Sequence, residues 1–230
     1  MPPKTIFVAG TRRKAGKTLV SVFLLRSLPG LAAVKLTCCR STHGCPHDSP
    51  CGVCRSLTGP FEVVQDYLTL SQPGKDSARL LDASGGRAVW LKARPDALAD
   101  GLAAAMALFE HEQAVLVEGN AAFQVATPMK SGAIPVPTSR DLGTGRPDLG
   151  ILVIGPGPEP AKPTVRVALP HISAIVLNAR PGFPAPVLIH GLPEEVRAFS
   201  FDAAHPDDDP EARAFVEWVA RELGLRTQSL

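Results

Sequence analysis

Apolar and polar positions alternate along this chain in blocks that read as short buried strands separated by amphipathic helices. Ile6–Ala9 is a continuous apolar run, and Leu19, Val22 and Phe23 give the segment after it one buried helical face. Leu31–Leu36 follows a Pro29-Gly30 break as a second strand, and Arg87–Lys92 reads as a third. Asp96–His111 is an alanine-rich helix whose apolar stripe runs Leu98, Leu102, Ala105, Met106 and Phe109. Ala114–Val117, Ile151–Ile154 and Ser173–Asn178 are further buried strands, with Val187–Ile189 and Ala198–Phe201 as candidate edge strands. Asp209-Pro210 opens a last helix with Phe215, Val216, Val219 and Leu223 on its apolar face. Strands alternating with helices predict an α/β fold, a mostly parallel sheet with helices on both faces.

Some stretches lack either period. Phe61–Leu70 is mixed, and Gln72-Pro73-Gly74 breaks the chain before a short helix through Leu80 and Leu81, for which Asp76 is placed as the N-cap, the alternative being that it faces a nucleotide's metal. Residues 126–146 are rich in Pro, Gly, Ser and Thr, a long irregular loop suited to a lid. Gly155–Pro160 is a proline-rich turn. With no repeat and no composition shift, residues 1–230 read as one domain.

The stretch between the first strand and first helix carries the clearest chemistry. Gly10-Thr11-Arg12-Arg13-Lys14-Ala15-Gly16-Lys17-Thr18-Leu19 has the order of a phosphate-binding loop, with one residue more between its glycines than the strict G-x-x-x-x-G-K-[ST] pattern. A polyphosphate needs backbone N–H groups at a helix N-terminus, a lysine for the β and γ oxygens, and a hydroxyl for Mg²⁺. Gly16, Lys17 and Thr18 are the candidates. Arg12, Arg13 and Lys14 are either phosphate contacts or a solvated loop tip. Glu118, ending an apolar strand, is the candidate acid for Mg²⁺, with Asn120 bordering a substrate pocket. Lys35 ends the second strand, at the edge where open α/β sheets bind ligands. Asn178 is either a base-reading amide or a turn asparagine. Without a following Lys-x-Asp it selects neither ATP nor GTP.

All five cysteines, Cys38, Cys39, Cys45, Cys51 and Cys54, fall in one segment, which disfavours a chain-wide disulfide framework. Within this Cys/His-rich insertion, residues 38–54, Cys51 and Cys54 make a C-x-x-C knuckle. Cys45 with His43 or His47 completes a four-ligand set for Zn²⁺. An iron–sulfur site, a redox pair and free thiols are the competing readings. The net charge of +2 comes without a basic stripe and interleaved aromatics, so nucleic acid is not an expected partner. No run approaches the roughly 18 apolar residues of a membrane span, and the chain opens directly into a strand without a charged-then-apolar leader. A cytoplasmic protein is expected.

The loop Phe7-Val8-Ala9-Gly10-Thr11…Gly16-Lys17-Thr18 resembles that of dethiobiotin synthetases, and Glu118-Gly119 and Val176-Leu177-Asn178 fall where that family has its Mg-binding glutamate and base-reading asparagine. Where that family carries Lys-Pro-x-x-x-Gly, this chain has Lys35-Leu36-Thr37-Cys38-Cys39. Val34-Lys35-Leu36-Thr37 and Gly74-Lys75-Asp76-Ser77 are similar to the GTP-binding molybdopterin-guanine dinucleotide biosynthesis adaptors (MobB type). Both families resemble the deviant-Walker, SIMIBI-like P-loop NTPases that serve ligases, metal insertion and cofactor assembly. The resemblance implies a Mg²⁺-dependent protein binding ATP or GTP. Its first expected role is an accessory NTPase in metal-cofactor assembly, partnered by a cofactor-biosynthesis enzyme and hydrolysing slowly. The alternatives are an ATP-dependent synthetase in which Lys35 positions a small carboxylated substrate, and a nucleotide-switched, metal-binding module without catalysis. A homodimer is open in each case.

Overall fold

The computed structural model describes residues 2–39, 57–126, 146–157, 161–186 and 191–227. Eight strands form one sheet: β1 (Lys4–Gly10), β2 (Leu31–Cys38), β3 (Phe61–Val64), β4 (Ala88–Ala93), β5 (Ala114–Glu118), β6 (Leu149–Ile154), β7 (Ala174–Asn178) and β8 (Arg197–Phe201). Their spatial order is β3-β4-β2-β5-β1-β6-β7-β8, and every neighbouring pair is parallel except β3 with β4. The helices are α1 (Lys17–Ser27), α2 (Tyr67–Leu70), α3 (Asp76–Ala83), α4 (Leu98–Ala107), α5 (Ala122–Val125), α6 (Pro163–Ala168) and α7 (Pro210–Leu223).

The period of two along each strand sorts the core into two layers. Ile6 and Val8 of β1 point to the side covered by α1, α3 and α7, while Phe7 and Ala9 point to the side covered by α4, α5 and α6. Both faces are thus buried, which is why the central strands read as unbroken apolar runs. The expected α/β architecture, with helices on both faces of a mostly parallel sheet, is present. Among the described residues no helix is long and apolar enough to cross a membrane.

Several boundaries differ from the sequence reading. The mixed stretch near Phe61 contains β3, an edge strand running antiparallel to β4, in which Glu62 lies opposite Lys92 and pairs with it at 3.0 Å. A half-exposed edge strand need not be apolar, so periodicity misses it. The Asp96–His111 helix is shorter: a 3₁₀ turn over Pro95–Ala97 precedes α4, which ends at Ala107. Ala198–Phe201 lies in β8, which extends the parallel array beside β7. Asp209 caps α7 as expected, accepting hydrogen bonds from the Glu211 and Ala212 N–H groups. The candidate strand at 187–189 and residues 127–145 of the expected lid lie outside the described residues.

The strand order places the ends of β1 and β5 side by side, with β2 beyond β5. After β5 the chain crosses to the other side of β1 and continues outward through β6, β7 and β8. A reversal of this kind opens a crevice at the C-terminal edge of an open parallel sheet.

Candidate functional site

The loop after β1 sits in that crevice. Thr11 is buried and continues the β1–β6 ladder, its N–H donating to the Val153 carbonyl at 3.0 Å and its carbonyl accepting from Lys162 N–H at 2.8 Å. The turn into α1 is made by Gly16, the N-cap, in the left-handed region at φ 106°. A side chain there would be strained, and its Cβ would fall 2.5 Å from Asn178 Nδ2. Gly10 is needed for a different reason. The Lys17 side chain folds back across it, and a Cβ on Gly10 would stand 2.7 Å from Lys17 Cγ. Ala15 is fully buried under the loop, and Leu19 packs against the core.

The three cations at the loop tip divide. Arg13 and Lys14 are exposed, Lys14 with a left-handed φ of 58°. Arg12 is half-buried and lies along the turn after β6, where a Cβ on Gly155 would be 3.0 Å from its Nε. It belongs to the packing between the two loops, rather than to a solvated tip.

Parallel register brings the charged residues together. Lys35 of β2 lies opposite Glu118 of β5, and Glu118 lies opposite Val8 of β1. Glu118 has no exposed surface. Its Oε1 accepts from Lys35 Nζ at 2.7 Å and its Oε2 accepts from the Thr18 hydroxyl at 3.0 Å. Lys35 Nζ also donates to Asp76 Oδ2 at 2.9 Å. The result is a chain Thr18–Glu118–Lys35–Asp76 joining the first turns of α1 and α3 to the sheet.

Asp76 corrects an expectation. The N-cap of α3 is Lys75, and Asp76, the first helical residue, turns its carboxylate to Lys35 instead of capping the helix. Lys35 also lies further back along β2 than its end, which is Cys38.

The ionisation of the group follows from this arrangement. Burial pushes the Asp76 carboxyl up, but the Lys35 ammonium outweighs it and holds Asp76 below the usual carboxylate range. Burial likewise works against Lys35, yet Glu118 and then Asp76 hold its pKa above that of an ordinary lysine. Lys17 differs. Burial lowers its pKa, Glu118 offsets this in part, and the nearby Lys35 pushes it further down, so it lies below the ordinary value. Among the described residues no carboxylate lies within ion-pairing distance of the Lys17 ammonium.

Two asparagines brace the loop. Asn178, at the end of β7 and 4 % exposed, donates to the Ala15 carbonyl at 3.0 Å and accepts from Ala203 N–H at 3.1 Å. Whatever its bearing on a base, its amide joins the loop to the segment after β8. Asn120 does the same for β1: its Oδ1 accepts from Gly10 N–H at 3.0 Å, and its Nδ2 donates to the Gly10 carbonyl at 2.8 Å. Sequence reasoning places Asn120 at the pocket border and misses this bracing role, for which the Glu118-Gly119-Asn120 strand end is the only signal.

Beside Lys17 a cavity of about 510 Å³ opens, with Lys35, Thr37, Glu118, Gln124, Lys162 and Thr164 among its lining residues. One wall is α5, which at four residues has no stability of its own. Phe123 anchors it, fully buried with its ring edge-on to Phe7 at 5.5 Å. Burial of such a ring contributes about 1.5–3 kcal/mol. Cys38 and Cys39 also line the cavity. His43, Cys45, His47, Cys51 and Cys54 lie outside the described residues. Among the described residues no group of three or more His, Cys, Asp or Glu side chains converges to hold a metal ion.

Thr18, Glu118 and Asp76 nonetheless suit Mg²⁺. They supply a hydroxyl and two carboxylates, hard oxygen donors, of which Glu118 lines the cavity. Mg²⁺ sites commonly take only one or two carboxylates and leave the remaining positions to water and phosphate.

Fold and site together define an α/β protein with an eight-stranded, mostly parallel sheet and a charged crevice at its C-terminal edge. No protein-family model, curated protein or solved structure matches the chain.

Proposed function

We propose that the protein is a P-loop NTPase that binds a Mg²⁺–nucleoside triphosphate across the loop Gly10–Thr18. The observation that carries this reading is the Lys17 ammonium. It stands at the N-terminus of α1, half-buried, with no carboxylate partner among the described residues, while Lys35 beside it is paired twice. A cation held in that way is matched to an anionic ligand. In this reading Lys17 neutralises the β and γ oxygens, and the N–H groups of the loop near Gly16 donate to them. Thr18, Glu118 and Asp76 hold the cation. Bound there, Mg²⁺ would offset phosphate charge and polarise the phosphoryl oxygens. Asn178 and Asn120 keep the loop amides in place.

Of the roles open to such an NTPase, we favour an accessory function in metal-cofactor assembly. The two segments similar to the MobB-type adaptors, Val34–Thr37 and Gly74–Ser77, are distant in sequence and meet in the Lys35–Asp76 ion pair. The cavity beside Lys17 supports a second reading, an ATP-dependent synthetase whose small carboxylated substrate faces Lys35 and Lys162. Equilibrium binding of Mg-ATP and Mg-GTP to the purified protein, with Lys17→Ala as control, separates them. Tight GTP binding lost in the variant is expected for the adaptor. ATP selectivity, with phosphate released only when a small carboxylic acid is present, would shift the assignment to the synthetase. Binding of neither nucleotide would overturn the P-loop reading.

A further inference from the structure

The pairing at the centre of the site has a consequence for how a metal enters it. Both carboxylates suited to a divalent cation already share one ammonium as their ion-pair partner: Lys35 Nζ lies 2.7 Å from Glu118 and 2.9 Å from Asp76. The second Glu118 oxygen is occupied by the Thr18 hydroxyl. The two carboxylates and the ammoniums of Lys17 and Lys35 sum to zero charge in a cluster that is fully buried at Glu118 and open to solvent at Asp76. A divalent cation arriving alone would have to displace Lys35 and leave two positive charges in excess, next to a second lysine with no carboxylate partner among the described residues. Arriving with a triphosphate, it brings the negative charge to which both lysines can turn. The geometry allows that movement, because Lys35 lines the same cavity as Lys17 and its side chain is 17 % exposed.

We propose that Lys35 is a resident counter-cation that makes metal binding at Thr18, Glu118 and Asp76 conditional on nucleotide. The proposal rests on the nucleotide-binding reading and adds to it a rule of order: no metal without the triphosphate. Lys35 is therefore a positioning residue that holds the metal ligands together and then yields them. A permanent structural ion pair would behave differently, because removing Lys35 would then only destabilise the fold.

The test uses the full chain, Mn²⁺ as the probe, and electron paramagnetic resonance to measure free Mn²⁺ in the absence of nucleotide. Wild type is expected to bind Mn²⁺ weakly. Lys35→Met exposes two unpaired carboxylates and is expected to bind it at least about tenfold more tightly. Lys35→Arg, which keeps the charge, should return to the wild-type level, as should Lys35→Met combined with Glu118→Gln. Lys35→Gln keeps a hydrogen-bond donor and serves if the methionine variant folds poorly. Thermal melting adds a second readout: Mn²⁺ alone should raise the midpoint of the Lys35→Met or Lys35→Gln protein and leave wild type unmoved.

Equal Mn²⁺ affinities in wild type and both neutral variants would overturn the counter-cation role, and so would tight nucleotide-free binding by wild type. If wild type in the same experiment still binds Mg–nucleotide, and loses it in Lys17→Ala, the P-loop reading survives that result. If wild type binds no nucleotide, both fall together.

Discussion

The two edges of the sheet carry cavities of nearly equal size and quite different character. At the C-terminal edge, about 510 Å³ is bordered by Lys17, Lys35 and Glu118. At the N-terminal edge, about 490 Å³ is bordered by Arg146, Asp148, His171, Arg197 and Trp218. Volume and charge content do not distinguish them; burial and connection do. The ion pair of Asp148 with Lys4 has side chains 34 % and 54 % exposed, and such pairs contribute about 0–1 kcal/mol. The Glu118 end of the Lys35 pair is wholly buried, and breaking a buried pair costs about 3–5 kcal/mol. That cost is concentrated at the C-terminal edge, where the proposed nucleotide site lies.

Substitutions at the two edges should separate them, beginning with the loop lysine. Lys17→Ala removes charge-assisted bonds of about 1.5–3 kcal/mol each and should lower nucleotide affinity about a thousandfold by calorimetric titration. Arg197→Ala at the opposite edge should leave that affinity unchanged. An equal loss in both would erase the distinction.

Glu118→Gln keeps the shape and removes the charge facing Lys35 and Thr18. A loss of about 3 kcal/mol in denaturant unfolding is expected, the low end of the range because Asp76 still holds Lys35. Nucleotide affinity should also lose its dependence on Mg²⁺. A variant as stable and as Mg²⁺-dependent as wild type would show that the buried pair does neither job.

Gly16→Ala places a Cβ at a left-handed position and against Asn178. It should cost about 1–2 kcal/mol of stability and weaken nucleotide binding through the displaced loop. Gly182→Ala, also at positive φ but with nothing within 4 Å, supplies the comparison. It should show the strain alone and no change in binding.

The smallest effect belongs to the N-terminal edge. Burial, then the Arg146 guanidinium, holds His171 below the usual histidine pKa. The unfolded chain therefore takes up the proton first. The contribution of His171 to stability is complete above the unfolded pKa near 6.5 and is lost as pH falls through the lower folded value. Melting between pH 7.5 and 5 should decline slightly less in His171→Gln than in wild type, with nucleotide affinity unaffected by the substitution at either pH.

Much of the architecture was legible in the sequence because both faces of the central strands are buried. Ile6–Ala9, Ala114–Val117 and Ile151–Ile154 are apolar throughout, and that composition has few readings other than a covered parallel sheet. The edge strand β3 escaped notice because only Val64 of its four residues is buried. The capping reading of Asp76 follows a local rule, while its partner Lys35 lies 41 residues away. No local pattern reports a contact of that span. Asn178 was located at the right strand end, but its hold on Ala15 bridges 163 residues and required the folded chain.

By itself, the sequence determined the buried strands and the longer helices between them, the glycine-framed loop with its Lys17 and Thr18, and the presence of an acid at the end of β5. These depend on periodicity and on neighbours within a few residues, which a linear chain records directly. Only the tertiary structure decided that Lys35, Glu118 and Asp76 share their charge and that Lys17 is left without a carboxylate among the described residues. Those facts arise from strand order and parallel register, which set β2 beside β5 and bring the first turn of α3 over both. Pairing energies fall off over a few ångströms, so the chemistry of the site was settled only when remote segments were packed together.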